Sequence, residues 1–200
     1  MPPLAGSRRS GSGGRPRTRL QPVNEYTLFD TAIGTCGIAW RTGDAPVIVS
    51  FNLPEATVAE TERRIARKAA KASEIPPVIQ EVIDKSRRHL ARELQDFRDA
   101  PIDWDQFEPF SRRVYEASIN IPVGQTRTYG QLAKQLNEPH AAQAVGQALG
   151  SNSIPLIIPC HRILAADGKL HGFSAPGGLL TKEKLLLIEG ATTSLFDELD

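Results

Sequence analysis

The stretch Ile157-Ile158-Pro159-Cys160-His161-Arg162-Ile163-Leu164 constrains the fold more tightly than any other part of the chain. Its apolar flanks read as a buried strand or core segment that stops at Pro159, which has no N–H to continue a ladder. That leaves Cys160 on a turn at the edge of a packed element, where a side chain can meet a pocket. A thiol is a nucleophile only as its thiolate, and an imidazole such as that of His161 is the usual means of taking the proton. The plain alternative is a small core filler, the commonest fate of a cysteine in an apolar run. The rest of the chain has to decide between them.

Two hundred residues suit one large or two small domains with a real core. Cys36 and Cys160 are the only cysteines and stand far apart, which predicts free thiols in a reducing compartment, cytoplasmic in a bacterium or nuclear in a eukaryote. His89, His140, His161 and His171 form no paired spacing with them, so no metal is expected. No apolar run approaches the roughly 18 residues of a membrane span, and no membrane partner is expected. The net charge of +1 conceals Arg8, Arg9, Arg15, Arg17 and Arg19 in an acid-free start, so the remainder is net acidic. Bulk charge therefore makes no case for nucleic-acid binding.

Residues 1–23, rich in Pro, Gly, Ser and Arg, predict a disordered basic tail without the apolar core of a secretory signal. Three short strands are expected at 26–31, 35–41 and 47–53, then helices at 54–72 and 78–97 with Val58, Val82, Leu90 and Leu94 facing inward. Cys36 falls in a strand and reads as core. Residues 24–98 would form an α/β domain and 99–109 a linker, with Trp104 and Phe107 packed between the halves. Residues 110–191 would form a helical domain ahead of a C-terminal tail at 192–200. In that domain Ser111 is expected to cap a helix to 119, and Thr128 with Gln131 to form a capping box on a helix at 129–136. Asn137-Glu138-Pro139 closes that helix, and a third at 140–149 completes a helix-turn-helix pattern. Ala141, Ala142, Ala144, Gly146 and Ala148 leave the third helix nearly without bulk.

Several fixed motifs surround the cysteine: Phe110-Ser111-Arg112-Arg113-Val114, Val123-Gly124, Thr128-Tyr129-Gly130-Gln131-Leu132-Ala133, Ala144-Val145-Gly146, Asn152, Pro155, Gly177-Gly178-Leu179, Lys182 and Glu189-Gly190. With Pro159-Cys160-His161-Arg162 they resemble the methylated-DNA–protein-cysteine methyltransferases, the O6-alkylguanine-DNA alkyltransferases, over about residues 110–190. The resemblance implies a mixed α/β fold, with a small RNase H-like N-terminal domain followed by a helical domain with a helix-turn-helix and an active-site loop. It implies irreversible, single-turnover transfer of an alkyl group from guanine O6, or thymine O4, to Cys160, without a cofactor. His161 would take the thiol proton through a water, Glu189 would hold the imidazolium, and Asn152 would fix the turn. Tyr129 would donate to the base as charge develops there, with Phe173, Ser174 and Lys182 completing the substrate pocket. Gln143, Ala141 and Ala142 on the small-residue helix, with Thr128 and Arg162, would meet double-stranded DNA, and the protein would act as a monomer. The target atom is inaccessible in a stacked duplex, so the nucleotide would be flipped out.

Three features depart from the family pattern: Gln143 stands where an arginine is usual, Ala175-Pro176 lengthens the pocket loop, and His171 replaces a smaller residue. Three rivals define what to look for. A lesion-binding alkyltransferase-like protein would lack the cysteine. A helix-turn-helix regulator would need more base-reading side chains than Gln143 and Gln147. A thiol hydrolase would turn over.

Overall fold

The computed structural model describes residues 24–191 apart from Lys169 and His171, so the basic tail, the segment 192–200 and the departure at His171 lie outside the described residues. Strands β1 (Asn24–Thr31), β2 (Gly34–Arg41) and β3 (Val47–Asn52) form an antiparallel meander. Phe29 faces Cys36 and Ile38 faces Phe51 in the ladder, and Cys36 is wholly buried, as expected of a core thiol. Helix α1 (Val58–Ile65) starts at a capping box between Thr57 and Glu60. It ends seven residues before the expected 72, because the chain passes through one tight turn and becomes extended at Ala69. Residues Ala70–Lys71 form β4, which pairs parallel to β1 and gives the sheet order β3-β2-β1-β4. Val58, expected inward, is 53% exposed at the start of this short helix.

Helix α2 (Pro77–Leu90) opens on a proline at its first turn, where the missing N–H costs nothing. It buries Ile79, Val82, Ile83, Ser86, His89 and Leu90 on one face. The expected extension to 97 fails at Arg92, which takes a left-handed φ of 71°. Glu93 N–H reaches Arg88 O at 2.9 Å and Arg92 N–H reaches His89 O at 3.0 Å, a Schellman ending made without glycine. Leu94, expected inward, therefore lies outside the helix and is 47% exposed.

The segment after α2 covers the edge of β3. Ile48 N–H donates to Pro101 O at 2.6 Å and Asp103 N–H to Ile48 O at 3.0 Å, so the edge is not left open. Phe107 packs edge-on against Tyr115 with ring centroids 4.8 Å apart, and Trp104 packs on Phe107. Helix α3 (Pro109–Ile119) begins before Ser111, because Pro109 supplies the first helical residue and Glu108 precedes it without a side-chain cap. Strand β5 (Arg127–Thr128) leads directly into α4 (Tyr129–Gln135), whose Thr128–Gln131 capping box is present as expected. Helix α5 (Ala142–Gly150) follows, two residues later than expected, after Asn137 in the left-handed region ends α4. Strand β6 (Ile163–Leu164) pairs parallel with β5, and α6 (Gly178–Ile188) completes the fold. One cluster of buried side chains runs from Phe29 and Trp40 through Val114 and Leu132 to Ile158 and Leu185. Among the described residues no helix is long and apolar enough to cross a membrane.

Candidate active site

Cys160 sits just after a sharp corner. Pro159 has φ −83° and ψ 65°, and Cys160 N–H donates to Ile158 O at 2.8 Å, which is an inverse γ-turn with the fixed-φ residue at its centre. A single helical turn, Cys160–Arg162, follows. Asn152 braces the corner from behind: its Nδ2 donates to Ile158 O at 2.9 Å while its Oδ1 accepts from Ile154 N–H at 2.9 Å. The intervening Leu156 is held at a left-handed φ of 76° although it carries a side chain and is buried. Such backbone costs on the order of 1–3 kcal/mol and persists only where its surroundings enforce it.

Cys160 as a residue is 7% exposed. Burial pushes the thiol pKa up; a hydrogen bond from Asn152, the Lys182 ammonium and the N–H groups of Cys160 and His161 pull the other way. His161 is wholly buried, and its Nε2 lies 2.9 Å from Glu189 Oε1. A carboxylate only accepts, so Nε2 carries the proton and Nδ1, which has no partner among the described residues, is the basic nitrogen. Burial depresses the imidazole pKa, and Glu189 opposes that. Glu189 caps the end of α6, where a Schellman ending through Gly190 (φ 68°) sets its direction. Arg162 forks onto it, Nε to Oε2 and Nη2 to Oε1, both at 2.9 Å. Burial works against this carboxylate's ionisation, yet His161, His89 and Arg162 together hold it well below the usual carboxylate range.

An open cleft of about 820 Å³ lies between Tyr129, the α5 residues Ala142, Gln143 and Gly146, and Phe173 with Ser174. The β5–β6 pairing carries Tyr129, the first residue of α4, beside the cysteine turn. Burial raises the phenol pKa, with Cys160 adding to it, so the group is a proton donor near neutrality. Gly146 lies under the Tyr129 ring, where an added methyl would rest 3.7 Å from Cε1. The other face of α5 buries Val145, Ala148 and Leu149, while Gln143 and Gln147 are exposed. The small residues thus serve close packing and leave a low, accessible helix surface at the same time.

The structure brings together Cys160, His161, Glu189 and Asn152 at the thiol and Tyr129, Phe173, Ser174, Gln143 and Ala142 around the cleft; Ala141 precedes α5, half-buried. Thr128 is half-buried and spends its hydroxyl on the Gln131 N–H at 3.1 Å. Lys182 lies wholly buried, donating to Ile163 O at 2.6 Å with its ammonium 6.0 Å from the Tyr129 ring centre. Burial lowers its pKa to about 8. Arg162, expected at a DNA surface, is a correction: it is 4% exposed and its remaining nitrogen donates to Ile121 O at 2.6 Å. Its partner Glu189 lies 27 residues downstream, which local sequence does not reveal. His89 was missed altogether; the available signal was its place in line with Val82 and Ser86 on the buried face of α2. Among the described residues no cluster of three His, Cys, Asp or Glu side chains suits a metal.

Fold and site together define a mixed α/β protein with a buried cysteine followed directly by a buried His–Glu couple. Comparison with known proteins gives that class a family. The model of the 6-O-methylguanine DNA methyltransferase DNA-binding domain matches residues 109–191. The chain is 37% identical over 177 residues to a methylated-DNA–protein-cysteine methyltransferase of Mycolicibacterium paratuberculosis, covering 86% of this chain and 99% of that one. It is 34% identical over 176 residues to the Mycobacterium tuberculosis protein of the same name, covering 86% and 98%. The crystal structure of the Mycobacterium tuberculosis O6-methylguanine methyltransferase superposes with a TM-score of 0.67 at 33% identity, covering 84% and 93% of the two chains. That organism's OGT in complex with DNA gives 0.66 at 33% identity, covering 86% and 97%. The chain belongs to the methylated-DNA–protein-cysteine methyltransferase family.

Proposed function

We propose that this protein repairs DNA by moving an alkyl group from O6 of guanine, or O4 of thymine, to Cys160 in a single irreversible step. The observation that supports the reading best is the cysteine turn itself: a buried thiol braced by Asn152 and next in sequence to a His161–Glu189 couple, with Tyr129 of the adjoining cleft close enough for Cys160 to act on its phenol. His161 Nδ1 takes the thiol proton across one water, and Glu189 balances the imidazolium. The sulfur attacks the alkyl carbon, the carbon–O6 bond breaks, and its electron pair passes into the guanine ring. Tyr129 donates to the ring nitrogen as that charge builds. Phe173 stacks on the base, Ser174 binds O6, and Lys182 supports the pocket from beneath Tyr129. The product is a thioether and a repaired base, and the thioether is stable, so each chain acts once.

The partner is double-stranded DNA, entered by the helix pair α4–α5. Ala141 and Ala142 permit close approach, Thr128 lies at the start of α4, and Gln143 fills the gap left by the flipped nucleotide. We read residues 24–98 as an RNase H-like domain, 99–109 as a linker and 110–191 as the catalytic and DNA-binding domain. The β3-β2-β1-β4 order with β4 parallel to β1 supports the first of these. The protein acts as a monomer in a reducing compartment. Incubation with O6-methylguanine DNA followed by intact mass and peptide mapping is expected to show one methyl per chain, on Cys160. Cys160→Ala should abolish transfer and leave DNA binding largely in place. Continued turnover, or label on Cys36, would refute the reading.

A further inference from the structure

His89 is a wholly buried imidazole on a helix face otherwise built mainly of Ile79, Val82, Ile83 and Leu90. Burying a polar ring is costly unless its nitrogens are satisfied, and both are. Nδ1 accepts the Gln95 N–H at 3.1 Å, which assigns the ring proton to Nε2, and Nε2 lies 3.0 Å from Glu189 Oε1. Gln95 reaches back to Nδ1 because the left-handed Arg92 turns the chain after α2. Phe97 fixes the ring plane edge-on, with centroids 5.5 Å apart. The carboxylate therefore meets three donors on Oε1, from His89, His161 and Arg162, and one on Oε2, from Arg162.

We propose that His89 is a positioning residue of the transfer site, an uncharged donor from the sheet-bearing part of the chain that aims the Glu189 carboxylate and tempers its pull on His161. The inference rests on the alkyl-transfer reading above. Oε1 shared among three donors offers His161 less negative charge than Oε1 shared between two. Without His89 the carboxylate is freer to swing, and the imidazole it holds becomes more basic. His161 then stays protonated, and useless as a base, up to a higher pH. The charged and titratable groups around the carboxylate are His161 and Arg162 from the cysteine turn and His89 from α2. Asp96 acts on Arg162 from the segment after α2, and Cys160, Lys182, Tyr115 and Tyr129 lie beyond. A positive charge at position 89 would work against the imidazolium; a neutral donor does not.

The test is single-turnover transfer from free O6-benzylguanine, followed across the acid limb of the pH–rate profile. His89→Phe keeps a ring against Phe97 and removes the donor, whereas His89→Gln retains one. We expect His89→Phe to react roughly 10-fold more slowly near neutrality, the cost commonly seen when the partner orienting a functional imidazole is lost. Its acid limb should move to higher pH, and His89→Gln should recover most of both changes. A wild-type rate and limb in His89→Phe would overturn the proposal. So would a uniform slowing with an unmoved limb that His89→Gln fails to relieve, because that is a packing defect alone. Imidazole nitrogen NMR of the wild-type chain, which needs no variant, should show His89 neutral and protonated at Nε2; the other tautomer would overturn it too. Wild-type protein that transfers nothing would remove the alkyl-transfer reading and this inference together, whereas an active wild type matched by His89→Phe removes the inference alone.

Discussion

Glu189 occupies the end of α6, where the helix dipole presents its negative pole and disfavours an anion. Its ionisation depends on what surrounds it, chiefly the Arg162 fork and the two imidazoles. Lys182 is the complementary case, a cation folded into the core, where it donates to Ile163 O and lies near the Tyr129 ring and Cys160. Its folded pKa of about 8 lies below the free lysine value of 10.5, so between those limits the folded chain binds fewer protons than the unfolded one. This group's contribution to stability therefore rises with pH through that window, by up to about 1.4 kcal/mol per pH unit, and the buried charge is a cost below it. Urea titrations of wild type and Lys182→Met at several pH values should show the variant with the flatter slope there. An equal slope in both would mean that Lys182 is solvated when folded. Sequence made Cys160, His161 and Asn152 legible, because the ten residues 152–161 carry all three. The donors on Glu189 were not legible, since His89 is 100 residues away and an arginine beside a reactive cysteine looks like a surface group until its partner is known.

Helix ends divide along the same line. Asn137 and Gly190 are residues that favour the left-handed conformation, and the ends of α4 and α6 fall where they stand. Arg92 makes the same turn without such a signature, which is why α2 reads as far as 97 in sequence and stops at Leu90 in the fold. Likewise β4 is two residues long and takes its identity from pairing with β1, which no local pattern announces. At this scale the helix α5 makes its own prediction. Gln143 is exposed at the mouth of the cleft, with neither the charge nor the stacking surface of an arginine. Gln143→Arg is expected to speed repair of O6-methylguanine in duplex DNA by a few-fold to about 10-fold, worth roughly 1.4 kcal/mol. The rate on free O6-benzylguanine, which needs no extrusion, should stay unchanged. Equal gains on both substrates would mean that position 143 acts on the pocket rather than on flipping.

Across the whole molecule the sheet grips the reactive corner directly. Phe51 N–H donates to Ser153 O at 2.9 Å and Ser50 Oγ to the same oxygen at 3.2 Å, one residue from the Asn152 brace. Together with the His89 contact and the shared core, this ties the helical part to the sheet. A chain begun at Asp99 should therefore lose several kcal/mol and melt about 10 °C lower, with slower transfer to Cys160. Calorimetry and a single-turnover assay check this, and an unchanged midpoint would show the helical part to be self-sufficient. The carboxylate hub also has a bearing on how the protein is made. Glu189 follows His161 by 28 residues, so a ribosome has synthesised the cysteine well before the group that charges its neighbour. Chains grow from the N-terminus, so a nascent or truncated polypeptide ending before residue 189 carries Cys160 as an ordinary thiol. On the proposed transfer chemistry, a chain that stops short of residue 189 is expected to react with an alkyl donor no faster than a free cysteine does.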